Sequence, residues 1–409
     1  MMNRKHIVSW ALYDFANSIY PAVVTTAVFG AYYASKIIGD EEGLGTLWWG
    51  RVGSVSVLFV ALSSPFLGSI ADKAGVRKKM LLFYTYLCII SVALFVIIEP
   101  GMILRGFFLA VLANIGFEGA LVYYNAYLPE LAPQEKQGSI SALGFAAGYV
   151  GSAVGLLLAL PFVRHERFDL AWLAVAAFFA VFSIPTFFFL PKDRFGEQTI
   201  VRAVIDGVTG FKRIVREVLQ ERELRRFLIA FFFYIDGVLT VNLMAAVVAE
   251  KTFGFNALEL IFLFLTVQIS ALVGALGLAK PTDRWGGKRI ITLTLILWTS
   301  IVVWTFFAYS KTTFFIIAVL AGTGLGAVQA ASRSLMAALI PQGKEAEMFG
   351  FYAFCGKSSS VLGPLVFGWV TYAQGGNQRP GMIAIAAFFI VGLILLQRVQ
   401  DPRAVAPVK

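Results

Sequence analysis

Four ionisable side chains stand where a bilayer would be. Asp14, Glu118, Asp236 and Lys357 each interrupt a long apolar run. A charged group at the bilayer centre costs about 2.5–3.5 kcal/mol or more, so such residues face a cavity or a partner and mark solute and proton pathways. Asp236 and Lys357 lie at similar depth in the second half of the chain, which invites a salt bridge. Either the pair opens when a solute or a proton competes for one member, or it is a permanent structural pair. Glu118 is the best-placed proton carrier, because desolvation lifts a carboxyl group toward neutrality; a structural hydrogen bond to a neighbouring helix is the rival reading. Asp14 and Asp236 occupy related places in the two halves, each beside a tyrosine, Tyr13 and Tyr234. For Asp14 the bland alternative is a headgroup-level carboxylate satisfied by Asn17 or Ser18. Arg333 could dock a substrate carboxylate through its guanidinium fork, or equally serve headgroups or a loop. Asn17, Asn125 and Gln329 could line a hydrophilic path, or simply join helices.

Other chemistry is absent. Gly356-Lys357-Ser358 has the outline of a phosphate loop, but Gly350 is one residue too far away. The two cysteines, Cys88 and Cys355, sit inside apolar runs, and His6 and His165 sit in polar flanks. That leaves no disulfide framework, no metal-ligand cluster and no nucleophile with a spaced histidine. Neither an enzyme nor a bound cofactor or metal is expected.

The elements that must position these residues are spanning helices. Of 409 residues 58% are apolar and 14% charged, where a soluble protein carries about 25% charged residues. A spanning helix needs about 20 apolar residues. Twelve runs qualify: 9–36, 50–71, 79–98, 102–127, 138–163, 169–190, 226–250, 257–280, 288–309, 312–338, 347–373 and 380–399. The N-terminus has the outline of a signal peptide, but its apolar run continues past Asp14 with no cleavage site and reads as the first span. The expected fold is all-α and integral to the membrane, twelve transmembrane helices in two pseudo-symmetric six-helix bundles, 1–190 and 226–409, joined by 191–225. Within that linker Val201, Val204, Ile205, Val208, Phe211, Val215, Val218 and Leu219 recur at helical spacing with Arg202, Lys212, Arg213 and Arg216 between them, as in an amphipathic tether lying on the membrane surface. Most of the 34 Lys and Arg fall on the side that holds both termini, which places the termini in the cytoplasm of a cell (inner) membrane. The net charge of +10 is therefore topological, and a nucleic-acid partner is not expected.

The chain also repeats itself. Asp72-Lys-Ala-Gly75-Val-Arg77-Lys78 follows the second run, and Asp283-Arg284-Trp-Gly286-Gly-Lys288-Arg289 follows the eighth, 211 residues on. Pro133-Gln134 and Pro341-Gln342 are 208 apart. Two halves with the same punctuation imply parallel repeats. In the loop motif Gly68 permits close helix approach, Asp72 can cap a helix N-terminus, and the basic residues anchor at anionic headgroups. Plain topology signalling explains the basic residues but not the repeated Asp and Gly. Gly144, Gly148, Gly151 and Gly155 share one face of the fifth run and allow close packing, while Pro21, Pro65, Pro185 and Pro364 should bend their helices.

The loop Gly68-xxx-Asp72-Lys-x-Gly75-x-Arg77 and its second copy resemble the signature of the major facilitator superfamily. Five further segments resemble its branch related to the autophagy-associated vacuolar amino-acid effluxers: Trp10 to Ser18, Phe117-Glu118 to Glu130, Tyr234-Ile-Asp236-Gly237, Gln329 to Ser334, and Phe349 to Pro364. Ile235 and Ala279 depart from the branch's usual Asn and Gly. The resemblance implies the superfamily fold, with all four intramembrane charges on helices that line or border the central cavity. It implies a monomer in the lipid bilayer that moves a small-molecule substrate, amino acids, by proton-coupled efflux and alternating access. A drug or lipid exporter of the same fold is one alternative, and a non-transporting sensor or lipid scramblase another.

Overall fold

The computed structural model describes residues 3–39, 43–193, 196 and 198–402. The side chains of 206–214 and 257, and with them Val208, Phe211, Lys212 and Arg213 of the linker pattern, lie outside the described residues. The first half holds α1 (Arg4–Asn17), α2 (Phe29–Tyr32), α3 (Leu44–Ala74), α4 (Arg77–Ala93), α5 (Ile103–Asn125), α6 (Leu128–Leu131), α7 (Gln137–Arg164) and α8 (Phe168–Phe189). The linker carries α9 (Ile200–Gln220). The second half holds α10 (Arg222–Phe253), α11 (Ala257–Gly277), α12 (Ala279–Trp285), α13 (Gly287–Phe307), α14 (Lys311–Leu339), α15 (Glu345–Ser359), α16 (Leu362–Ala373), α17 (Gln378–Ala384) and α18 (Ala386–Gln397). Among the described residues there is no strand.

Among the described residues ten helices are long and apolar enough to cross a membrane. Their outward faces carry large apolar side chains: Phe188 is 77% exposed, Leu157 68% and Leu258 69%. Water would penalise such a surface, whereas lipid solvates it.

Among the described residues, expected spans 9–36 and 347–373 are the two that give no single long apolar helix, while 257–280 and 380–399 are each interrupted by one turn residue, Leu278 and Ile385. Pro21 lacks an N–H, and its ring clashes with the carbonyl four residues back. After α1 the chain opens into wide i→i+5 turns over Tyr20–Ala27, with Pro21 at their start; α2 follows, and a second wide stretch without proline covers Tyr33–Ile38. In the eleventh span the break falls at 360–361, and Pro364 is the third residue of α16, where a missing N–H is tolerated. Pro65 and Pro185 instead lie inside α3 and α8, which run on through them.

The chain forms two compact units. One comprises 1–127, 147–210 and 343–350; the other comprises 128–146, 211–342 and 351–409. The first unit is centred on aromatic stacks, Trp10 on Tyr124 with centroids 4.6 Å apart and Phe29 on Phe95 at 3.9 Å. In the second, Phe231 stacks on Tyr352 at 4.1 Å and Trp298 on Phe389 at 5.7 Å. Glycines set the closest helix contacts. Cβ atoms built on Gly148, Gly151 and Gly155 would meet the Ser18 side chain, the Phe15 backbone and the Ile19 side chain at 2.7, 2.0 and 2.4 Å, so α7 packs closely on the segment 15–19 and touches its backbone at Gly151.

Candidate functional site

The two loop motifs each put a carboxylate at the start of a helix. In the first unit, Asp72 accepts the backbone N–H groups of Ala346 (3.1 Å) and Glu347 (2.9 Å), at the N-terminus of α15. The first-turn N–H groups of a helix have no intrahelical partner and carry the positive end of its dipole, so a carboxylate there satisfies both. Gly68 makes room: a Cβ would lie 2.3 Å from the Ala346 carbonyl oxygen. Gly75 ends α3 with φ +61°, which favours glycine. Arg77 is buried, 3.5 Å from Asp72 and 3.7 Å from Glu345, and donates to the Ala126 carbonyl.

In the second unit Asp283 accepts from the Ser139 N–H (3.0 Å) and the Ser139 hydroxyl, in the first turn of α7. Here the close approach comes from Gly138, whose Cβ would lie 2.7 Å from Asp283 Oδ1. Arg284 is exposed, and Gly286, with φ +85°, precedes α13. The copies differ by one residue. Arg77 and Gly287 begin α4 and α13, so Lys288 takes the structural place of Lys78 rather than that of Arg77.

Asp236 sits fully buried on α10 beside the break in the eleventh span. Its oxygens accept the N–H of Gly363 at 3.0 and 2.9 Å, and Thr240 donates its hydroxyl at 3.3 Å. The partner of this carboxylate is thus the first turn of α16, not Lys357 as its depth led us to expect. The break supplies donors that a continuous helix would have consumed. Lys357 lies half-buried near the end of α15. Two residues before Asp236, Tyr234 is buried and its hydroxyl bonds Ser332 at 2.7 Å. Arg333 is buried and committed to helix α7: it donates to the Ser141 hydroxyl and carbonyl at 3.0 and 2.6 Å and lies over the Phe145 ring at 4.0 Å. Gln329, one turn earlier on α14, is half-buried.

In the first unit Tyr13 is buried in the aromatic stack, and its hydroxyl bonds Thr85 at 2.6 Å. Asp14 and Asn17 are buried on α1, and the Asn17 amide nitrogen finds no acceptor. Asn125 closes α5, and Glu118, half-buried on the same helix, borders a cavity of about 280 Å³.

Sequence reasoning missed a duplicated clasp. The Lys78 N–H, at the start of α4, donates to both oxygens of Asp193 at 3.0 Å, while its ammonium bonds the Leu190 carbonyl at 2.9 Å. In the second unit the Lys288 N–H donates to Asp401 at 3.0 Å, and its ammonium bonds the Gln397 carbonyl at 2.8 Å. Each lysine therefore ties the start of one helix to the end of another. Burial pushes the Asp193 carboxyl above its ordinary value, opposed by the Lys78 N–H, the Tyr127 hydroxyl and the nearby Arg77 and Lys78 charges. The signal that could have found the clasp was the repeat itself, since Lys78 and Lys288 are 210 residues apart and Asp193 and Asp401 208.

Ten long apolar helices among the described residues, one of them with Asp236 buried inside it, mark a multi-pass membrane protein, and its fold is that of the major facilitator superfamily. The human organic anion transporter MFSD10 (TETRAN) superposes with a TM-score of 0.78 at 16% identity, over 96% of this chain and 99% of that one. The E. coli fucose:proton symporter FucP gives 0.71 at 13% identity, over 97% of each. Residues 51–407 match the family described as "Vacuole effluxer Atg22 like", and the chain belongs to that family. It is similar to the uncharacterised MFS-type transporter YxiO of Bacillus subtilis (strain 168), 30% identical over 98% of this chain and 96% of that one. Autophagy-related protein 22 of Yarrowia lipolytica is 26% identical over 84% of this chain and 74% of its own length.

Proposed function

We propose that this transporter carries a small polar solute, amino acids, out of the cytoplasm by alternating access, driven by protons. The observation that carries this reading is the broken eleventh span with the buried Asp236 on a first-turn N–H of its second segment. Broken helices near the midplane are where transporters of this kind hold solutes and coupling ions. Donors already engaged by Asp236 become available to a solute carboxylate when Asp236 takes a proton. Glu118 is the second proton-binding group of this proposal, in the other half of the chain. The halves 1–190 and 226–409 move about the linker 191–225, in a monomer whose termini face the cytoplasm of the cell membrane. The carboxylate caps at α15 and α7 hold one end of the cycle.

Purified protein in liposomes with a mixture of labelled amino acids, under an imposed pH gradient, tests this. Gradient-dependent movement of label above protein-free vesicles is the expected result. Folded protein that moves no label would refute the amino-acid assignment.

A further inference from the structure

The cavity beside Glu118 lies wholly within the first unit and is built from three elements. The wide turn after α1 contributes Tyr20, Pro21 and Thr25; α3 contributes Trp49; α5 contributes Asn114, Phe117 and Glu118. Wide i→i+5 turns are rare and fall frequently at functional sites.

Glu118, Thr25 and Asn114 can each present an acceptor to this cavity, and the donors in the wall are the neutral Trp49 N–H, Tyr20 hydroxyl and Asn114 amide. Glu118 is the charged side chain of the lining, and its carboxylate accepts only. Thr25 has already given its proton to the Pro21 carbonyl at 2.8 Å, so toward the cavity its oxygen offers lone pairs. The Asn114 carbonyl can do the same. Around them stand aromatic faces: Tyr20 and Phe117 pack with centroids 5.0 Å apart, and Trp49 closes another side. Aromatic faces attract cations, indole most strongly. Among the described residues the lining includes no Lys, Arg or His to receive an anion.

We infer that this cavity is a binding site for an organic ammonium group, which donates to Glu118 and Thr25 and rests against the Trp49, Tyr20 and Phe117 rings. At about 280 Å³ the space falls just below the range of about 300–1,000 Å³ typical of drug-sized ligands, and suits a primary amine with one ring or a short aliphatic chain. The inference rests on the transport reading and deepens it by placing the solute's positive nitrogen: the carboxylate that takes the proton also takes that nitrogen.

Three probes of one size separate the charges: 2-phenylethylamine, the neutral 2-phenylethanol and the anion 3-phenylpropanoate, each titrated calorimetrically into the purified full-length protein. The amine should bind more tightly than the other two. Glu118→Gln keeps the shape and removes the charge, and should weaken the amine roughly tenfold to a hundredfold, the value of a hydrogen bond to a charged group. It should leave the alcohol unchanged. Trp49→Leu should weaken the amine several-fold without touching Glu118. Equal binding of amine and alcohol, stronger binding of the anion, or full amine affinity in Glu118→Gln would each overturn the site. Wild-type protein that moves amino acids in liposomes yet binds no amine would overturn it while leaving transport intact. Glu118-dependent amine binding without amino-acid flux would keep the site and discard the amino-acid assignment.

Discussion

Asp236→Asn is the substitution whose size can be worked out from contacts. The carboxylate holds the Gly363 N–H with both oxygens and takes a third bond from Thr240, with no water access. Asparagine keeps one oxygen for Gly363 and turns an NH₂ group toward donors. A hydrogen bond to a charged group is worth about 1.5–3 kcal/mol, against about 0.5–1.5 for a neutral one. A charge at a helix N-terminus adds about 0.3–1 kcal/mol. The junction of α15 and α16 should therefore loosen by about 1–3 kcal/mol, roughly 5–150-fold in a local equilibrium. Hydrogen exchange followed by mass spectrometry reads this directly: the amides of residues 361–363, 365 and 366 should exchange faster by that factor, while those of α10 stay slow. Transport should fall with it. Gly363→Ala is the steric counterpart, because its Cβ would lie 2.0 Å from the Thr240 hydroxyl oxygen and 2.7 Å from Asp236. Unchanged exchange in Asp236→Asn would show that the group at the break is neutral, and the charged-cap reasoning would fail.

Three further expectations are local. Asp72→Asn removes a charge from the α15 start, so it should speed exchange of the Ala346 and Glu347 amides and slow transport with little change in solute affinity; a large affinity loss contradicts it. Gly151→Ala would push a Cβ to 2.0 Å from the Phe15 carbonyl oxygen and should cost about 1–3 kcal/mol as overpacking, seen as a lowered melting temperature in detergent; an unchanged melt refutes the backbone contact. Asp193 has a raised pKa, so the folded state holds its proton more tightly than the unfolded chain does. Its contribution favours folding in acid and fades as pH rises from the ordinary carboxylate value of about 3.9 through the raised one. Asp193→Asn should flatten that fall in melting curves across the same window, and a steeper fall in the variant would reverse the sign.

Much of the architecture was legible because a bilayer imposes a coarse rule: about twenty apolar residues make a span, and a charge inside one needs a reason. The rule reads hydropathy, not backbone. Pro21 and Pro364 coincide with interruptions while Pro65 and Pro185 do not, and composition cannot separate them. The partner of Asp236 was misjudged for the same reason, since depth brought Lys357 to mind and only the break exposes the Gly363 N–H. Arg333 looked available to a solute but is held by Ser141, 192 residues away in sequence. The clasps at Asp193 and Asp401 were invisible as single acids in polar ends. They appear only when both copies are laid side by side, and the one-residue shift between Arg77 and Gly287 blurs that alignment.

The two helix caps are reciprocal with respect to the duplicated sequence. Asp72, from the first copy, caps a helix that begins in the second; Asp283, from the second copy, caps a helix that begins in the first. The helices so capped, α15 and α7, are themselves counterparts. A half-length ancestor with one such aspartate and one such helix would meet a second copy of itself through a self-complementary contact made twice, as in an isologous dimer. Fusion of two genes then needs no new interface, only a linker. The two copies differ in detail: close approach comes from Gly68 in one and Gly138 in the other, and Arg77 has no counterpart where Gly287 stands.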